Sequence, residues 1–296
     1  MTQALPNPNG DSLQLTEEEA SELAAALKAQ TRSGTIAAHD EASIERMVAG
    51  LGDRRGLLRL TFAESLGAIG SAAVPALCQA MRQHSNVTVR RAAAKTLTLI
   101  EDPSALDDLE EAFLSDADPV VQGSAMGAIA AVGETAVDRI LGVLVNPRST
   151  PMHLGLASWA LAFVGSKAPG ALRAAAQSEH VEIRTAAIAA LGDQIQSLGD
   201  EEARQLVLAA LRDPDADVRA EASTLLGKLH DAAWAAPPLV GQLQDQDAQV
   251  RKNAALSLMK LRATDALDSL QQQLQRESDA GVQAILQLAI NQLSDG

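Results

Sequence analysis

Residues 215–229 read DADVRAEASTLLGKL, and this stretch decides the fold. Counted from Arg219, small or apolar residues fall at +3 (Ala222), +7 (Leu226), +8 (Gly227) and +10 (Leu229). At 3.6 residues per turn these positions share one face, so the spacing predicts an amphipathic helix. Four residues before the anchor stands Asp215, whose side chain can accept from the free N–H groups of a first turn.

The same pattern recurs along the chain. It reads Leu58-Arg59, Phe62-Ala63, Leu66-Gly67 and Ile69, then Val89-Arg90, Ala93-Ala94, Leu97 and Ile100, then Val121-Gln122, Ala125-Met126, Ile129 and Val132. Further anchors are Leu154, Arg184, Arg251 and Gln283, and successive spacings are 31, 32, 32, 30, 35, 32 and 32 residues. A period near 32 residues marks a repeat architecture. Caps precede six anchors: Asn86, Asp118, Thr150, Asp215, Asp247 and Asp279, with Pro119 and Pro151 at first helical positions. Asp53 is the expected cap of the first unit, and His180 is an exception. Between these inner helices lie shorter apolar patterns, such as Leu106, Leu109 and Phe113, that read as outer helices. The expectation is an all-α solenoid of about eight two-helix units. It covers residues 41–296 and follows a mobile tail and an N-terminal helix in residues 1–40, the helix opening on the capping box Thr16/Glu19.

Composition narrows the function. With 24 Lys+Arg against 38 Asp+Glu in 296 residues the net charge is −14, which disfavours duplex DNA as a partner. One Cys excludes a disulfide framework, and no metal-spaced Cys or His cluster is present. Met1–Gln14 lack the pattern of a secretory signal, and the longest apolar window, residues 154–164, is shorter than the ~20 residues a membrane span needs. A cytoplasmic location and no membrane span are expected.

The 32-residue unit and its signature resemble HEAT repeats of the phycobilisome-lyase-like class, over about residues 41–293. The segments RRGLLRL (54–60), AKTLTLI (94–100) and SWALAFVG (158–165) look like the cyanobacterial NblB-like branch of that class, which is related to the E/F-type bilin lyases. The resemblance implies action on phycobiliproteins, whose bilin chromophores members attach, isomerise or help to detach. It supplies no catalytic motif that maps residue by residue.

Enzyme motifs fail in turn. The acidic run Asp213, Asp215 and Asp217 would need Gly at Val218 and Glu at Thr224 to be a calcium loop. No Gly-Lys-Ser/Thr exists for a phosphate loop, and none of the five His precedes a Glu, as paired di-iron ligands on such scaffolds require. Asn86-Val-Thr88 reads as a cap, and Cys78, beside Leu77, as a small buried thiol, the alternative being a thiol that holds a chromophore. His153 is the one His expected near the functional face, where the alternative is a solvated residue at a helix start.

That face is what remains after the core positions are removed. Residues at +1, +5 and +9 form a stripe about opposite the core, expected to floor a concave groove. It reads Leu60-Glu64-Ala68, Arg91-Lys95-Leu99, Gly123-Gly127-Ala131, Gly155-Trp159-Phe163, Thr185-Ala189-Asp193, Ala220-Thr224-Lys228 and Lys252-Leu256-Lys260. Glycines inside a helix cost roughly 1 kcal/mol each against Ala, so either close helix packing or a close ligand must compensate. Trp159 and Phe163 are groove residues in this register and core residues if it slips by one. From Asp53 to Ile100 seven basic residues, including Arg54, Arg55, Arg91 and Lys95, face two acids, so the window carries +5 and would steer an anion. The bland alternative, pairing of anchor Arg with Asp of a neighbouring unit, accounts for Arg59 and Arg90.

The binding set expected is therefore Arg54, Arg55, Arg91, Lys95, Gly123, Gly127, His153, Gly155, Trp159 and Phe163, with no catalytic and no metal residues. A phycocyanobilin-type tetrapyrrole, flat and bearing two propionates, suits such a floor, and phycobiliprotein subunits or the bilin are the expected partners. The leading reading is a bilin- and phycobiliprotein-handling factor in chromophore detachment and phycobilisome degradation. The alternatives are a bilin lyase that attaches chromophore and a general protein scaffold unrelated to pigment.

Overall fold

The computed structural model describes residues 13–33, 40–165 and 167–294. The tail expected to be mobile, residues 1–12, lies outside them. Among the described residues all regular structure is helical, and it contains the expected eight helix pairs. We number the inner helices α1 (Gly56–Ile69), α2 (Val87–Ile100), α3 (Pro119–Val132), α4 (Pro151–Gly165), α5 (Val181–Ala190), α6 (Ala216–Leu226), α7 (Ala248–Lys260) and α8 (Ala280–Ser294). The outer helix before each is Glu41–Gly50, Val74–Gln83, Leu106–Ser115, Val137–Leu144, Pro169–Ala175, Glu201–Ala210, Ala232–Gln242 and Leu267–Arg276. An extra short helix, Gly192–Leu198, accounts for the long spacing between the anchors Arg184 and Arg219. The capping box is formed as expected: the N–H of Thr16 donates to Glu19 Oε2 at 2.8 Å and that of Glu19 to Thr16 Oγ1 at 3.2 Å, opening the helix Glu17–Ser33.

The chain divides into two compact units, Met1–Ile140 and Leu141–Gly296. Each is held by the predicted core positions. In the first, Phe62, Leu66, Ala93, Leu97, Ala125 and Ile129 are buried at +3 and +7. In the second, Ala157, Leu161, Ala187, Leu191, Leu226 and Leu258 occupy the same positions. The stretch Gly56–Gln83 is long and apolar enough by composition to cross a membrane. It is bent at Gly70, a left-handed residue (φ 74°), and turns Phe62, Leu66, Leu77 and Met81 into the repeat core.

Side chains start most inner helices as the spacing predicts. Asn86 accepts from the N–H of Thr88, Asp118 from Val120 and Val121, Asp215 from Asp217, Asp247 from Gln249 and Val250, and Asp279 from Val282. Asp53 accepts from the N–H of Arg55 ahead of α1, whereas His180 makes no side-chain cap.

The anchor arginines do more than mark the repeat. Arg90, Arg184, Arg219 and Arg251 each form a two-pronged ion pair with an acid of the following repeat: Asp116, Asp213, Asp245 and Glu277. Each also donates from Nη1 to two carbonyls of the turn before its own helix, for Arg219 those of Asp213 and Pro214 at 2.9 and 3.1 Å. The acid in turn accepts a backbone N–H from the next turn, as Asp213 does from Asp215. One guanidinium thus fastens two consecutive turns, a geometry suited to the planar fork of Arg. Arg59 departs from the expected pairing. It binds the carbonyls of Asp53 and Arg54, because His84 occupies the position where Asp116, Asp213, Asp245 and Glu277 stand in four later repeats.

Candidate functional site

In the first unit the +1/+5/+9 stripe is solvent-facing, with Leu60, Glu64, Lys95 and Leu99 exposed and Gly123 and Gly127 half-buried. A Cβ added to Gly123 or Gly127 would meet nothing within 4 Å. Close packing, one of the two reasons offered for these glycines, is therefore not theirs.

The basic window largely neutralises itself. Arg91 pairs with Asp118, its Nε 2.9 Å from Oδ1, and this holds the Asp118 carboxyl at about 2, chiefly through the Arg91 hydrogen bonds. Arg55 binds Asp53 through Nε at 2.9 Å and Nη2 at 2.7 Å, and reaches back to Ser21 Oγ and the carbonyl of Glu17. Arg82 pairs with Asp108, and Arg90 with Asp116. Of the expected cations Arg54 and Lys95 are exposed and, among the described residues, form no ion pair, and Lys95 alone of these two is on the stripe. The +5 of the sequence window does not survive as a +5 patch. The acids that cancel it, Asp108, Asp116 and Asp118, lie beyond the window's end.

His153 is not on the face. It is 3 % exposed, its Nδ1 accepts from the N–H of Thr150, and its own N–H donates to Thr150 Oγ1. It therefore helps to begin α4, and burial holds its pKa below the ordinary value. Neither the groove role nor the solvated alternative describes it. Cys78 is buried as expected, and burial, aided by the nearby Asp108 carboxylate, pushes its thiol up to about 12.

In the second unit, Gly155, Trp159 and Phe163 of α4 are exposed, Trp159 by 51 % and Phe163 by 47 %. This settles the register in favour of the stripe. Their rings stack at 5.7 Å between centroids with planes 24° apart. Just beyond the end of α4, Lys167 places its Nζ 5.4 Å from the Phe163 centroid. The sequence reading missed Lys167, although continuing the period of four from 155, 159 and 163 leads to it. Gly155 has open space where a Cβ would be.

Helix α4 is apolar on nearly every side, and such a helix belongs in an interior. Yet Met152, Leu154, Trp159 and Phe163 are all exposed. An apolar surface of this kind marks an interaction site. Two of the chain's five aromatic residues lie on it. Beside α4, Thr185 and Ala189 of α5 are half-buried and Asp193 is exposed. The stripe closes at Ala220, which is buried, because Asn253 of α7 donates to the Ala220 carbonyl and to Thr224 Oγ1. Among the described residues no group of three or more His, Cys, Asp or Glu side chains is placed to hold a metal ion.

Comparison with known proteins agrees with this architecture. The HEAT-repeat family model matches residues 44–130, 137–222 and 204–291. The bilin biosynthesis protein MpeU of Synechococcus sp. (strain WH8020) is 49 % identical over 279 residues, covering 94 % of each chain. Among solved structures, the karyopherin Kap121p bound to the SUMO protease Ulp1p superposes with a TM-score of 0.51 at 13 % identity, over 95 % of this chain and 42 % of that one. This is a likeness of fold. The complex of CpcE and CpcF of phycocyanin lyase from Nostoc sp. PCC7120 aligns over 99 % of each chain at 19 % identity, with a TM-score of 0.34 that is too low to argue from.

Proposed function

We propose, for a chain that belongs to the HEAT-repeat family and within it to the family of the bilin biosynthesis protein MpeU, a role as a bilin-handling protein that receives a linear tetrapyrrole on the exposed face of α4. The observation that carries this reading is the stacked, solvent-facing pair Trp159 and Phe163 on a helix that leaves part of its apolar surface exposed among the described residues. A conjugated tetrapyrrole presents a flat face of matching chemistry, and aromatic stacking recognises such faces.

The name of the 49 % identical relative refers to biosynthesis, which favours the attachment side of bilin chemistry over chromophore detachment and phycobilisome degradation. Phycobiliprotein subunits are the proposed recipients. We assign the face to binding and presentation of the bilin, the role that exposed stacked rings serve. Arg54, Lys95, Gly123 and Gly127 of the first unit are proposed contacts for the protein partner, since they combine free charge with uncovered backbone.

The test is a titration of the purified chain with free phycocyanobilin in the absence of any biliprotein. The expected result is a saturable change in visible absorbance with an induced circular dichroism band. Absence of both, together with a stable complex with an apo-phycobiliprotein subunit, would transfer the reading to a pigment-independent scaffold.

A further inference from the structure

We propose that Lys167 is the carboxylate anchor of the α4 face and makes it selective for linear tetrapyrroles with free propionates. This rests on the bilin-binding reading above and adds a residue and a ligand chemistry to it. Three observations support it. Lys167 Nζ lies over the Phe163 ring at 5.4 Å, at the edge of the stacking surface. The side chain is exposed and, among the described residues, pairs with no carboxylate, whereas Arg55, Arg82, Arg90, Arg91, Arg139 and Arg173 are all committed. Acids outnumber bases 38 to 24, so an uncommitted cation beside an aromatic pair is a local exception to the surrounding charge.

That exception matters for a dianionic ligand. A chain of net charge −14 repels an anion at long range, and a local cation opposes that repulsion where the ligand docks. A cation held by the ring it partly covers is already oriented and desolvated on one side, so pairing it with a propionate costs little further ordering. The tetrapyrrole plane lies against Trp159 and Phe163 while one propionate turns toward Nζ. Because the ammonium is exposed, the contact is salt-sensitive, screened over about 8 Å at physiological ionic strength.

The experiment titrates the wild-type chain, Lys167→Gln, Lys167→Arg and Trp159→Ala with phycocyanobilin and with its dimethyl ester, following visible absorbance. Expected for the wild type is about three- to fivefold tighter binding of the diacid than of the diester, the size of one well-placed exposed ion pair. K167Q should erase that preference by weakening the diacid alone, K167R should restore it, and W159A should weaken both ligands. Equal affinity of the wild type for diacid and diester, or equal loss of both in K167Q, would overturn the anchor while leaving bilin binding in place. Failure of the wild type to bind either form would overturn the bilin-binding reading and the anchor with it.

Discussion

Arg91 holds the carboxylate of Asp118, Nε 2.9 Å from Oδ1, while the same carboxylate accepts from the N–H groups of Val120 and Val121 at the start of α3. One acid thus caps a helix and takes up a cation that the sequence alone offers to a ligand. Arg91→Glu places a carboxylate against Asp118 and should lower the melting temperature. Lys95→Glu, on the same stripe and without an ion pair among the described residues, should leave it unchanged. Thermal melts of the two variants at low and high salt check this, and equal shifts would refute the distinction.

The Arg251–Glu277 pair is the most enclosed of the inter-repeat clasps, with both Arg nitrogens 2.7 Å from the Glu oxygens and the Glu277 side chain 1 % exposed. The Arg251 hydrogen bonds hold the Glu277 carboxyl at about 2, below its ordinary 4.5, against the opposing effect of burial. A depressed carboxylate contributes stability that is full above its unfolded pKa and disappears as pH falls through the folded value. Stability should therefore decline between about pH 4.5 and pH 2, and Glu277→Ala should flatten the Glu277 part of that decline. The same variant leaves the Arg251 charge without a partner at neutral pH and should cost about 3 kcal/mol there. Chemical denaturation as a function of pH measures both effects.

Gly123 and Gly127 stand mid-helix with open space at the Cβ position. Replacing each with Ala should stabilise the fold by about 0.5–1 kcal/mol, since nothing clashes and helix propensity improves. If they serve as backbone contacts for a protein partner, the same variants should bind an apo-phycobiliprotein subunit more weakly while melting higher. Gain of stability with unchanged binding would remove them from the interface.

Cys78, buried and with its thiol pushed up to about 12, should react slowly with a thiol reagent at pH 8 in the folded chain and rapidly once denatured. Fast native labelling would place the thiol in an open site.

Much of this was legible in the sequence because period and chemistry coincide. The anchors, the caps Asn86, Asp118, Asp215, Asp247 and Asp279, and the alternation of a buried +3/+7 face with an exposed +1/+5/+9 face all follow from short-range spacing. What was hidden is pairing across repeats. Arg55 and Arg91 read as free because their acids, Asp53 and Asp118, also read as caps, and one carboxylate can serve both functions. His153 was misplaced because a His three residues after Thr150 closes a reciprocal cap as readily as it faces solvent. Lys167 escaped because it follows the last residue of α4, Gly165, where helical counting is normally stopped.

Trp159 is the centre of the functional account, and its contribution to binding separates from its contribution to folding because it is 51 % exposed. The chain has two tryptophans, and the other, Trp234, lies on an outer helix with the Arg204 guanidinium 5.0 Å over its ring. The most direct measurement is the phycocyanobilin dissociation constant of Trp159→Ala beside that of Trp234→Phe, each paired with a thermal melt. The account predicts that W159A binds at least about tenfold more weakly, as removal of a central aromatic contact does, with melting near that of the wild type, and that W234F binds normally. Undiminished bilin binding by W159A, or a loss of about 3–5 kcal/mol in its stability as for a core Trp, would contradict it.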